Sequence, residues 1–202
     1  MEPMPLRGNT HMCAGYEYSI VAGTNLWYEN SSRRAIEYFI PHPNFTANIY
    51  GIPVNDLGLY KLLEPLEYTD LIQPVTLPSP DSVIPGGTSA YVAGWGLNET
   101  DHGWYTDTLQ EAEIFIYSDE DCEAMDWGFH PTREYDLCAG VAGGGRGECV
   151  GDSGGPLVTA DAVQVGIVSW SLKMPGCVSP GYPGVYTKVA RFVDWIKNVT
   201  AL

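Results

Sequence analysis

Short apolar stretches broken by turn residues run along most of the chain. Residues 18–27 are rich in β-branched and aromatic side chains and end at the polar turn Glu29-Asn-Ser-Ser32, the pattern of a strand. Residues 36–40 form a second short run, closed by Pro41-His-Pro-Asn-Phe45, and residues 56–63 a third with rough apolar alternation. Between 64 and 85 lie five prolines and no helical period, which predicts an extended linker. Further strands are predicted over 88–95, 111–117, 154–158, 162–170 and 184–189. Only two stretches have helical character. Residues 118–125 open with Ser-Asp-Glu-Asp, suited to an N-cap and to a first turn facing the positive end of the helix dipole. In the tail, Val189, Phe192, Val193, Ile196 and Val199 share one helical face. Many short strands, a proline-rich middle and one terminal helix predict an all-β fold of two barrel-like halves.

Composition narrows the partners. The 202 residues are 45% hydrophobic, enough for a substantial core, and no apolar run approaches the roughly 18 residues of a membrane span. Ten Lys and Arg against 25 Asp and Glu give a net charge of −15, spread along the chain. Such a surface repels phosphates and anionic headgroups, so neither nucleic acid nor membrane is an expected partner. The five cysteines, Cys13, Cys122, Cys138, Cys149 and Cys177, leave at least one thiol without an intramolecular mate. None has the C-x-x-C spacing of a zinc knuckle, and no metal or other cofactor is expected. Residues 1–10 lack the apolar core of a secretory signal. Yet N-x-[S/T] sequons stand at Asn30, Asn44, Asn98 and Asn198, and with the cysteines they point to an oxidising, secreted context.

The most informative hexapeptide is Gly151-Asp152-Ser153-Gly154-Gly155-Pro156. Glycines around a serine allow a tight turn whose N–H groups converge, as an oxyanion hole requires of Gly151 and Ser153. Alone, the run is equally consistent with an ordinary glycine-rich turn. It is accompanied, in order, by Val54-Asn-Asp-Leu-Gly-Leu-Tyr-Lys-Leu62, Val92-Ala-Gly-Trp-Gly96, Asp136-Leu-Cys-Ala-Gly140, Ile167-Val-Ser-Trp170, Pro183-Gly-Val-Tyr-Thr-Lys188 and Phe192-Val-Asp-Trp-Ile196. With these, the chain resembles the trypsin/chymotrypsin family of serine endopeptidases from about Cys13 to its end.

The resemblance implies two antiparallel Greek-key β-barrels and a C-terminal α-helix, the first barrel incomplete. Residues 1–12 would be a non-family segment, 13–75 part of the first barrel, 76–188 the second barrel and 189–202 the helix. It implies Ser153 as nucleophile, Asp56 as the acid orienting the base, and Asp152 as the partner of a freshly cut N-terminal amine. Ser169, Trp170 and Ser171 would hydrogen-bond an extended substrate backbone. The base is where the pattern breaks. The family places histidine directly before a cysteine, but here the run is Thr10-His-Met-Cys13, with Met12 in that place and His11 one step early. One residue turns a helical side chain by roughly 100°, so His11 is a weak candidate. His42, His102 and His130 lie in loops and do not substitute. Nothing before Cys13 resembles the family's activation terminus, so this chain is expected to be inactive as written.

The family pattern pairs Cys122 with Cys138 and Cys149 with Cys177, leaving Cys13 unpaired. The specificity pocket would comprise Gly147, Glu148, Ser171 and Gly184. Gly147 replaces the acid of trypsin-like members, which implies apolar or medium-sized substrate side chains. Glu148 on the pocket wall would favour a polar or basic group, unless it turns to solvent. The resulting expectation is a secreted peptidase forming an acyl-enzyme on Ser153, with protein or peptide substrates and protein inhibitors as partners. The alternative is a non-catalytic homologue that binds or regulates a protein partner.

Overall fold

The computed structural model describes residues 18–29, 32–98, 104–125, 131–172 and 177–201. Cys13, His11, Met12, His102, His130 and the Asn30 sequon residue lie outside them.

The structure divides at the proline-rich connection. On the N-terminal side, β1 (Ser19–Val21), β2 (Arg33–Pro41) and β5 (Gly58–Leu62) form a three-stranded antiparallel sheet in the order β1-β2-β5. Between β2 and β5 a hairpin projects, made of β3 (Thr46–Ala47) and β4 (Pro53–Val54). On the other side, β6 (Ser89–Gly94), β9 (Gln110–Ile116), β10 (Asp136–Gly140), β11 (Pro156–Thr159), β12 (Gln164–Trp170) and β13 (Gly184–Lys188) close a barrel in the order β10-β13-β12-β11-β6-β9. The ribbon β7 (Leu97–Asn98) and β8 (Trp104–Tyr105) stands beside it. The all-β architecture with one closed barrel and an incomplete first one is as the sequence predicts.

The barrel interior is filled by Ala90, Val92, Ile114, Ile116, Leu137, Leu157, Val165, Val168 and Tyr186, each on an inward strand position. Filling a six-stranded barrel with branched side chains leaves no lumen, so its rim loops stand on a rigid base. A second cluster joins the halves: Leu57 from the first sheet packs with Val189, Phe192, Val193 and Ile196 from the C-terminal segment. Burying Leu57 this way fixes the backbone next to Asp56.

Several elements differ from the sequence expectation, each for a local reason. The strand predicted over 18–27 stops at Val21. Gly23 turns to φ +75° and Thr24 Oγ1 accepts the Leu26 N–H, a hydroxyl turn that ends the extended chain. The hairpin β3–β4 was not predicted, because two-residue strands carry no alternation. Its turn is organised by Asn48, whose side-chain oxygen accepts from the N–H groups of Tyr50 and Ile52. Strand β10 is buried along four of its five residues and so shows no period of two. The helical tail begins as a 3₁₀ turn, Val189–Phe192, before the α-helix α2, Val193–Thr200. Helix α1 (Asp119–Glu123) begins where expected, with the Asp121 N–H donating to Ser118 Oγ at 3.0 Å.

Candidate active site

Asp56 stands at the joint between the two halves. Asn55 before it adopts a left-handed φ of +54°, and the Leu57 N–H returns to the Asn55 carbonyl at 3.0 Å, so the chain turns tightly here. Two hydroxyls from barrel strands then hold the acid. Ser169 Oγ donates to Asp56 Oδ2 at 2.7 Å, and Thr187 Oγ1 donates to the Asp56 backbone carbonyl at 2.7 Å. Ser169 reaches across because the β12–β13 register slips between Val168 and Trp170, a bulge that re-aims the side chain. Thr187 is 2% exposed, so its bond is sheltered from water.

Ser153 sits on the loop between β10 and β11. Gly151 and Gly154 take φ of +100° and +82°, conformations open to glycine but strained for other residues. The loop is fastened at both ends. The Gly154 N–H donates to the Val168 carbonyl at 2.8 Å and the Val168 N–H to the Gly155 carbonyl at 2.9 Å. On the other side, Asp152 Oδ1 accepts from the Gly96 N–H and Oδ2 from the Cys149 N–H, both at 2.8 Å. A Cβ on Gly94 or Gly96 would collide with that carboxylate, which explains the two glycines flanking Trp95. The N–H groups of Gly151 and Ser153, the predicted oxyanion pair, donate to no backbone acceptor among the described residues. Cys149, bonded to Cys177, ties down the approach to this loop, and Cys122 is bonded to Cys138.

Ser153, Asp56 and Ser169 line one cavity of about 670 Å³, with Phe39, Phe45, Leu77 and Ile167 among its walls. His42, the one histidine among the described residues, lies elsewhere: its ring meets Phe192 and Trp195 edge-on, 5.2 and 4.9 Å between centroids. Burial lowers its pKa.

A family model described as Trypsin matches residues 8–196. The chain belongs to the trypsin family of serine proteases. It is 40% identical over 169 residues to Trypsin II-P29 of Gallus gallus, covering 83% of this chain and 63% of that one. It is 37% identical over 166 residues to Transmembrane protease serine 5 of Homo sapiens, covering 81% and 35%. With Kallikrein 1-related peptidase b21 of Mus musculus it shares 32% over 200 residues, covering 94% and 74%. The chain thus spans between about a third and three quarters of the length of these relatives.

Of the four residues expected to form the specificity pocket, Gly147 and Gly184 line one small cavity. Glu148 does not turn to solvent: it is 4% exposed, and its Oε1 lies 3.0 Å from where a Cβ on Gly184 would stand. Tyr186 closes the same corner, its phenol held protonated to higher pH by burial, then by Glu148 and Asp152. Gly147 backs onto Val178, and also lines a cavity of about 310 Å³ that holds Asp152. Ser171 and Trp170 are half-buried at the end of β12.

Thr187 and Asp136 were not singled out from sequence. Thr187 lay in view within Pro183–Lys188, but only the fold reveals that it faces Asp56. Asp136 opens β10, accepts the Thr132 N–H, and is pushed up to about 6 by burial, against the pull of that bond and Lys188 and aided by Asp56. The folded chain therefore holds this proton more tightly than the unfolded one. Its stabilising effect is complete below about pH 4 and lost as pH rises through about 6. Asp136→Asn should remove a decline in unfolding free energy of ~3 kcal/mol between those limits. Urea denaturation of both proteins across that range checks this. A wild-type-minus-variant difference that stays flat with pH contradicts the assignment.

Proposed function

We propose that this chain is a serine endopeptidase domain acting on protein or peptide substrates outside the cell, with Ser153 as nucleophile. The observation that carries the reading is the single cavity in which Ser153 meets an Asp56 fixed by Ser169 and Thr187. In this scheme Ser153 Oγ adds to the scissile carbonyl, forming an acyl-enzyme that water then hydrolyses. Negative charge developing on the carbonyl oxygen is met by the Gly151 and Ser153 N–H groups. Asp152, held by the amides of Gly96 and Cys149, keeps those donors in place. Ser169, Trp170 and Ser171 supply the strand along which the substrate backbone lies. The two disulfides support an extracellular setting. Protein inhibitors that fill the same cleft are the further partner class.

Proton transfer sets the rate. With Met12 where the family places histidine, no imidazole meets Asp56 among the described residues, and loss of such a base costs on the order of a million-fold in turnover. The same substitution favours the second reading, a cleft that binds proteins without cutting them. A fluorophosphonate probe distinguishes the two. The chain is expected to label slowly on Ser153, Met12→His to label faster by about 100-fold or more, and Ser153→Ala not at all. Rapid stoichiometric labelling of the unaltered chain would overturn the missing-base account. Failure of Met12→His to label would favour the binding role.

The buried Glu148 also changes the expected substrate. A carboxylate beside Gly184 favours a cationic side chain over the apolar one that Gly147 alone implies. In the Met12→His background, Glu148→Gln should lower kcat/KM on peptides with Arg or Lys before the cut by about tenfold or more, a loss of ~1.4 kcal/mol. Peptides with Leu or Phe there should be unaffected. An equal loss on both sets would show that Glu148 only supports the fold.

A further inference from the structure

The hairpin β3–β4 carries apolar side chains into solvent. Phe45 is 53% exposed, Tyr50 65% and Ile49 91%, on one short projection beside the cavity that holds Asp56 and Ser153. Apolar side chains exposed together on one projection favour association unless something covers them. The Asn44-Phe45-Thr46 sequon lies at the base of this projection.

Asn44 is exposed on a tight turn closed by the Phe45 N–H donating to the His42 carbonyl at 3.0 Å. Its backbone is committed: the N–H donates to His42 Nδ1 at 3.3 Å and the carbonyl accepts Asn55 Nδ2 at 2.9 Å. Its side-chain amide has no hydrogen-bond partner among the described residues, and Thr46 is likewise exposed. The other described sequons are placed differently. Asn98 is half-buried and lines the cavity behind Asp152. Asn198 lies within α2, where Thr200 Oγ1 is bonded back to the Ile196 carbonyl at 2.7 Å.

We propose that Asn44 is an N-glycosylation site whose oligosaccharide covers the Phe45–Tyr50 projection and borders the cleft. In the transfer, Asn44 Nδ2 bonds to the anomeric carbon of an oligosaccharide carried on a polyprenyl diphosphate. The bond from that carbon to the diphosphate oxygen breaks, the lipid diphosphate leaves with the electron pair, and Nδ2 loses a proton to a base of the transferase. The sugar stands on a turn bonded to Asn55, the residue before Asp56, so its position relative to the cleft is defined. Passage through an oxidising secretory compartment is the one condition, and the two disulfides call for the same compartment. The proposal is independent of whether Ser153 is reactive.

The test is peptide mass mapping of the chain secreted from eukaryotic cells behind an exogenous leader. Most chains should carry a glycan on Asn44, and enzymatic release should convert Asn44 to Asp. Asn44→Gln and Thr46→Ala should each lose that glycan, and each should bind more of a hydrophobic dye and aggregate sooner. Two variants separate glycan loss from a defect in one side chain. Secreted chains with Asn44 unmodified would overturn the proposal. Unchanged dye binding and aggregation in both variants would overturn the covering role.

Discussion

Asp56 belongs to one half of the molecule and is held by the other. Its carboxylate accepts from Ser169 and its carbonyl from Thr187, two adjacent barrel strands reaching over to a turn in the first sheet. A carboxylate accepting a short hydrogen bond in a half-buried site keeps one orientation. Everything else at the cleft depends on this clamp. The Leu57 contact with α2 sets the depth of the turn, and the β12 bulge sets the direction of Ser169. Without the clamp the first sheet keeps its apolar contact with the C-terminal segment and the Asn25–Trp27 bonds to Trp95, Asp107 and Leu109, but nothing holds the Asp56 side chain itself.

The Ser153 loop solves a different problem. In the proposed mechanism it presents two amides to a substrate while its own polar groups stay satisfied. Glycines at 151 and 154 supply the turns, and backbone bonds to Val168 fasten one side. Asp152 folds back beneath the loop onto Gly96 and Cys149, in space that exists because residues 94 and 96 have no side chain. Loop geometry and the glycines of a distant strand are therefore one structural unit.

Much of this was legible in the sequence, where short-range chemistry decides. The runs that became β6 and β9 are long enough to display their period, and Ser118 with three acids after it marks a helix start. Two-residue strands such as β3 and β7 have no period to display. Side-chain direction is set by packing far away in the chain, so the burial of Glu148, the reach of Thr187 and the position of Asp136 against Asp56 were out of sight. The same limit applies to Asn44: its sequon is plain, but the apolar projection beside it exists only once Asn48 has folded the hairpin.

The central claim is that Asp56 and Ser169 are energetically coupled across the two halves. A double-mutant cycle with Asp56→Asn and Ser169→Ala, read by urea denaturation at neutral pH, measures that coupling directly. A charge-assisted hydrogen bond in this setting predicts a coupling of about 1.5–3 kcal/mol. Strictly additive losses would show that the two halves are held by their other contacts, the Leu57 packing and the Asn25–Trp27 bonds, and that the clamp does not position the acid.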